Sequence, residues 1–318
     1  MTRLHQDSQA IACFTLLNSP KFKHPPGQRL HAPGPLGGWG DLTGGLNMAL
    51  MNKIAGGVLA AGMALGAVAA PASAEDKFGY SWTITGASDY LFRGISYTGS
   101  DPTVNSYLEG TYGIFYLAGW TSNIDTCDGN GCLGPWEQDI YLGMRPVTGP
   151  ISWDLAALYY YYATKGTVRN SETDYFEFKI AGTVTPITNL SLTAAAFWTP
   201  DQDLASPENI SVEGTAAYTL PQMGIFTPTI SGQVGFSDAS TNDIYGTEES
   251  ALAGGKLGYW NGDDSYTYWN VGMKLAVEKF TFDLRYWDTN IADNVANLSL
   301  GTKNSDERFF FSVALTLP

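Results

Sequence analysis

Asp89 and Arg93 sit four residues apart in "ASDYLFRGIS", Ala87–Ser96, with a tyrosine, a leucine and a phenylalanine between them. An acid and a base at that spacing can serve as a catalytic pair or as an ion pair. Two further runs mix charges in the same way. "WEQDIYLGMR" carries Glu137, Asp139, Tyr141 and Arg145, and "FTFDLRYW" carries Asp283 and Arg285. Serine hydrolysis on such groups usually needs a histidine base. The histidines, His5, His24 and His31, all precede a leader-like segment, so the chain beyond it has none. No Asp-Thr-Gly motif occurs, and "HAPGPLGGWGDLTGG" lacks the Lys-Ser/Thr of a phosphate loop. The expectation is no enzyme, no catalytic residue and no cofactor. Cys127 and Cys132 close the small turn "CDGNGC", which in an exported chain reads as a disulfide. A metal site there would lack further sulfur or imidazole ligands. The loops "CDGNGC", "PDQDLASPE" and "YWNGDDSY" offer oxygen ligands for calcium but no EF-hand spacing, so they read as solvated acidic loops.

The elements that position these groups begin after a leader. Residues 51–74, "MNKIAGGVLAAGMALGAVAAPASA", show Lys53, an apolar stretch and the small-residue pattern Ala72-Ser73-Ala74. That is the layout of a secretory signal peptide cleaved after Ala74, too short and too rich in Ala and Gly for a membrane-spanning helix. Residues 1–50 then read as a disordered extension, or as sequence ahead of a true start at Met51 or Met48. The chain carries a formal charge of −14. Five basic and only two acidic residues precede Glu75, so the exported portion is more acidic still. Such a balance argues against nucleic-acid binding and favours attraction of cations.

From residue 75 to 318 the hydrophobic pattern has period two. In "RFFFSVALTL", Phe309, Phe311, Val313, Leu315 and Leu317 share one face, opposite Arg308, Phe310, Ser312, Ala314 and Thr316. "DYFEFKIAGTV", "NISVEGTAAYTL" and "SYTYWNVGMKL" alternate likewise. Twelve strands follow, at about 79–93, 102–112, 114–124, 136–145, 151–162, 174–184, 189–199, 209–220, 227–237, 264–276, 280–289 and 307–317. Short links containing Gly or Pro alternate with long polar ones, as in an outer-membrane barrel. An even number of strands lets the first pair with the last and leaves no open edge. Tyr80, Trp82, Tyr90, Trp120, Trp136, Trp153, Tyr159, Trp198, Tyr218, Trp269 and Trp287 are candidates for interfacial girdles. The expected fold is all-β, an antiparallel transmembrane β-barrel.

"SDYLFRGIS", then "DPTVNSYLEGTYGIFYLAGWTSNID", then "EQDIYLGM" also resemble, in order, the motifs of the TorF family of porins, formerly a proteobacterial outer-membrane family of unknown function. The clear resemblance covers Ala87 to Gly143. It falls on Ser88, Asp89, Tyr90, Phe92, Arg93, Gly94, Trp120, Ser122, Asn123, Glu137, Asp139 and Tyr141. The "CDGNGC" turn and the Leu-Pro ending depart from it. The resemblance implies an outer-membrane barrel. With Asp89 and Arg93 placed on the first strand, parity puts Asp89, Arg93, Glu137, Asp139, Tyr141, Arg145, Asp283 and Arg285 in the lumen.

The functional expectation is a channel in the Gram-negative outer membrane for small ions or solutes, biased toward cations. The alternative is a structural or ligand-binding barrel with a plugged lumen and functional extracellular loops. Outer-membrane lipid and small solutes are the expected partners, with no nucleic acid. No subunit interface is marked, and homo-oligomerisation stays open.

Overall fold

The structure is a computed structural model that describes residues 77–125, 134–163, 174–202, 208–239, 265–291 and 304–318. The leader, residues 1–50 and both Cys127 and Cys132 lie outside them. The described residues form fifteen strands. Twelve are long: β1 (Phe78–Ala87), β4 (Thr103–Tyr112), β5 (Phe115–Asn123), β6 (Trp136–Met144), β8 (Ile151–Tyr162), β9 (Tyr175–Ile187), β10 (Leu190–Thr199), β11 (Asn209–Thr219), β12 (Thr227–Asp238), β13 (Ser265–Val277), β14 (Phe280–Thr289) and β15 (Arg308–Leu317). Three are two-residue pieces: β2 (Leu91–Phe92), β3 (Ile95–Ser96) and β7 (Val147–Thr148).

Each long strand pairs antiparallel with its sequence neighbour, and β1 pairs with β15 in the register Trp82↔Leu317 to Ala87↔Ser312. The sheet is therefore a closed, twelve-stranded, up-and-down barrel. Closure satisfies every edge, the only way a sheet can sit in hydrocarbon. Tight turns cluster at one end, where Gly113, Gly149, Asn189, Gly224 and Glu278 adopt positive φ. The strand ends that flank the long links lie at the other end.

Period two sorts the side chains as a barrel requires. Val104, Leu117, Leu142, Val234, Val271 and Leu284 point outward at 48–63% exposure. A water-soluble barrel would not leave such a continuous apolar surface uncovered. Tyr80, Trp82, Trp153 and Tyr218 face outward toward the turn end, and Trp136, Tyr159, Trp198 and Trp269 toward the loop end. Three aromatics expected in these belts lie elsewhere. Tyr90, Trp120 and Trp287 are buried inside the lumen: inward parity, not aromatic identity, sets the side of Trp120 and Trp287, and Tyr90 follows a segment that has left the wall.

Strand limits agree with the alternation except at β1. That strand stops at Ala87, not near residue 93. The next residues leave the wall and fold inward.

Candidate functional site: a hairpin inside the lumen

Leu91–Phe92 and Ile95–Ser96 pair as a minimal ribbon, extended by the Tyr97 amide donating to the Tyr90 carbonyl at 2.8 Å. Arg93 and Gly94 form the two-residue tip with φ of +50° and +84°. Positive φ at both tip positions is the hairpin geometry that matches strand twist, and it calls for glycine at one of them. Gly94 meets the steric demand as well, since a Cβ there would lie 2.5 Å from Thr289 Cγ2. Asp89 and Arg93 are thus not on the first strand. They belong to a hairpin packed within the barrel, and an acid and a base interrupt the apolar run because the run is folding back.

Two polar anchors hold the hairpin. At its base, Asp89 accepts from Ser96 Oγ at 2.6 Å, from Thr98 Oγ1 at 2.8 Å and from Arg308 of β15 at 2.8 Å. At its tip, the Arg93 guanidinium donates to both carboxylate oxygens of Glu177 on β9, at 3.0 and 2.9 Å. Going round the barrel, β9 lies five strands from β1, so this contact crosses the lumen. The guanidinium also lies 4.7 Å from the ring centres of Phe92 and Phe197. From another wall, Tyr266 of β13 donates to the Arg93 carbonyl at 3.0 Å.

Aromatic side chains complete the fill. Tyr90 packs on Trp120 at 5.0 Å and Phe92 against Tyr160 at 6.1 Å, while Leu91 and Ile95 join Tyr268, Trp287 and Phe310. Tyr90, Leu91, Ile95 and Tyr268 are each at most 3% exposed. At this level the interior is packed like a core.

The turn half of the lumen is different. Its charges are paired; those of Arg145, Glu109, Lys179 and Asp154 are partly accessible, whereas Asp283 and Arg285 are buried. Arg145 holds Glu109 through two bonds of 2.8 and 2.7 Å, and Lys179 holds Asp154 at 2.8 Å. Arg285 pairs with Asp283 at 3.1 Å and donates to Asn270 and Ser231. Lys274 stands 4.0 Å from Asp283. Three lumen carboxylates in described residues have no basic partner. Glu137 accepts from the Tyr90 and Tyr162 hydroxyls, at 3.3 and 3.4 Å, and its carboxyl lies within hydrogen-bond reach of that of Asp139. Asp139 accepts from Tyr141 at 2.8 Å. Glu213 accepts from Tyr268 and Gln233 at 2.6 and 3.0 Å.

All eight lumen residues expected from sequence face the interior, but they form no single site. Asp89 and Arg93 belong to the hairpin, Glu137, Asp139 and Tyr141 to the wall beside it, and Arg145, Asp283 and Arg285 to the turn half. Sequence reasoning did not single out Glu177, Glu213, Glu109, Asp154, Lys179 or Lys274. Parity already put Glu177, Lys179, Glu213 and Lys274 on polar faces. Their partners were hidden, because alternation gives a side and not a register across strands.

A family model described as "Bacterial protein of unknown function (Gcw_chp)" matches residues 70–317. The chain belongs to this family. That description carries no activity and does not carry the TorF name. No curated protein matches the sequence. Among solved structures, the NanC porin is similar at 8% identity and a TM-score of 0.47, over 74% of this chain and 99% of that one. The KdgM porin is similar at 7% identity and a TM-score of 0.46, over 75% and 99%. LpxR from Salmonella typhimurium is similar at 8% identity and a TM-score of 0.38, over 74% and 99%. In this Gcw_chp member, the pairing of β1 with β15 closes an all-β barrel, and a hairpin occupies its lumen.

Proposed function

We propose that this barrel is a porin-like channel of the Gram-negative outer membrane for small ions, biased toward cations and closed at its loop end by the Asp89–Thr98 hairpin. The supporting observation is the juxtaposition of an apolar exterior with a charged lumen into which a hairpin folds. An apolar belt with aromatics toward both strand ends suits a bilayer. Polar groups lining the turn half suit water and ions. The cation bias rests on Glu137, Asp139 and Glu213, acidic groups beside the hairpin with no basic side chain in ion-pair contact. The proposal requires export of residues 75–318 by the leader at 51–74, and it suits a disulfide between Cys127 and Cys132 in the exposed loops.

Single-channel recording in planar bilayers under a salt gradient tests the reading. Wild type should show small, rare openings with a cation-selective reversal potential. Shortening the hairpin to a Gly-Ser link should enlarge the conductance. Glu137→Gln with Asp139→Asn should move the reversal potential toward zero. Should the shortened variant fold and still pass no current, the channel reading fails. The buried hairpin favours a second reading, a plugged barrel whose work is done by its long loops, and that outcome would support it.

A further inference from the structure

Five buried polar atoms without a hydrogen-bond partner fall on three adjacent strands. They are both side-chain atoms of Asn105 on β4, Trp120 Nε1 on β5, and Glu137 Oε2 and Asp139 Oδ1 on β6. The register gathers them on one inner wall. Asn105 pairs with Ser122, Ser122 pairs with Glu137, and Trp120 pairs directly with Asp139. Each of the four residues is at most 3% exposed. Orphaned buried groups are rare and call for an occupant.

The chemistry of the orphans specifies that occupant. Glu137 and Asp139, two residues apart on one strand and within hydrogen-bond reach of each other, are buried without a basic partner, so the pair needs a neutralising positive charge, a proton or a cation. The nearby lumen bases are committed elsewhere: Arg93 to Glu177, Arg145 to Glu109, Lys179 to Asp154 and Arg308 to Asp89. A bare cation would satisfy the carboxylates but not the donors Trp120 Nε1 and Asn105 Nδ2. Water both donates and accepts. A cation that keeps part of its hydration shell answers both needs. The donor set is oxygen only, without sulfur or imidazole, which suits a hard cation. Such ions are commonly held by one or two carboxylates with waters completing the shell. The same described residues contain no group of three or more His, Cys, Asp or Glu side chains suited to a metal, so a compact all-protein cage is not what the wall offers.

We infer that Glu137 and Asp139, with Asn105 and Trp120 bonding to the shell waters, hold one partly hydrated divalent cation of the calcium or magnesium class in the lumen wall. The inference rests on the channel reading only for the ion's route in. Because Tyr90 of the hairpin contacts Glu137, the bound ion would stiffen the wall on which the plug rests.

The experiment uses the full chain folded in detergent micelles and treated with chelator. Terbium(III) is the luminescent probe, and calcium and magnesium chloride are the competitors. Trp120 and the surrounding tyrosines should sensitise bound terbium. Losing even an outer-shell partner typically weakens a metal about 10- to 100-fold, so Glu137→Gln with Asp139→Asn should weaken binding at least that much. Trp120→Phe should cut emission excited through indole by more than half. If the double variant misfolds, Trp120→Phe alone decides, because it keeps both carboxylates. Titrations that leave both variants like wild type place the ion in the acidic loops and overturn the inference. Stabilisation that follows pH and ignores divalent ions assigns the neutralising charge to a proton and also overturns it. Absent conductance with an intact terbium site would sink the channel reading alone. Normal conductance with no terbium site would sink this inference alone.

Discussion

Arg93→Met is the sharpest probe of the hairpin. The substitution keeps an unbranched stem to pack near Phe92 and Phe197 but deletes the two bonds to Glu177. Breaking a buried ion pair by removing one partner costs about 3–5 kcal/mol. Glu177 retains donors in Tyr160 at 3.0 Å and Thr199 at 3.1 Å, which argues for the lower figure. The strand ladders do not depend on Arg93, so the loss should fall on docking of the hairpin and not on the barrel. At about 1.4 kcal/mol per tenfold, a loss of ~3 kcal/mol raises the open population of the hairpin by about two orders of magnitude. Amide hydrogen exchange reads this directly. The Ser96 amide donates to the Asn304 carbonyl and the Tyr97 amide to that of Tyr90, and both should exchange about 100-fold faster. Amides in the middle of β12 and β13 should not change. A double-mutant cycle with Glu177→Gln should give strongly non-additive effects. Unaltered exchange at Ser96 and Tyr97, or simple additivity, would refute the latch.

Gly94→Ala should loosen the same hairpin by another route. A left-handed conformation costs a non-glycine residue about 1–2 kcal/mol, and Thr289 must also move, so exchange at the tip should rise while the heat resistance of the barrel holds. Val271→Arg places a charge on the outer face midway along β13, at a site 48% exposed to the surrounding solvent. Folding into bilayers should lose about 2–4 kcal/mol, whereas a water-soluble barrel would tolerate the change. Exchanging the partners as Glu109→Arg with Arg145→Glu preserves the charge of the turn half, so the reversal potential should stay within a few millivolts of wild type. A large shift there would move the selectivity-determining level away from the hairpin.

Most of the barrel was legible because each strand has an apolar outer face and a polar inner one. Under that constraint "RFFFSVALTL" can be written only one way, and Arg308–Leu317 is a strand with Phe309 and Phe311 outward. Closure of β1 on β15 followed from the even strand count. The hairpin was misread because Tyr90 and Phe92 keep the parity of Tyr80, Trp82 and Ile84, so the alternation reads on across Gly86 to Asp89. The residue-glycine pair at 93–94, flanked by apolar residues on both sides, was the available turn signal. It was masked because arginine is an uncommon first residue for such a tip. Trp120 illustrates the other error. Its neighbours of like parity, Ala118 and Ser122, are small or polar and marked the inner face, so the even positions of β5 outrank the interfacial preference of tryptophan. The crossing contact between Arg93 and Glu177 could not be read from alternation at all, since nothing local links residues 84 positions apart.

The two halves of the lumen divide the electrostatic roles. Toward the turns, Arg145 and Glu109 keep side-chain exposures of 22% and 12%, and each charge there faces its opposite. Ions crossing such a region meet alternating signs that largely cancel at the distances screened by salt. At the hairpin, Arg93 and Glu177 are 7% and 1% exposed, and Glu137 and Asp139 face no basic group. Fields are least screened where water is excluded, so uncompensated charge acts most strongly at the level where the hairpin packs. On the channel reading, a hairpin packed against Glu137 and Asp139 makes the energy of its docked state depend on what neutralises that pair.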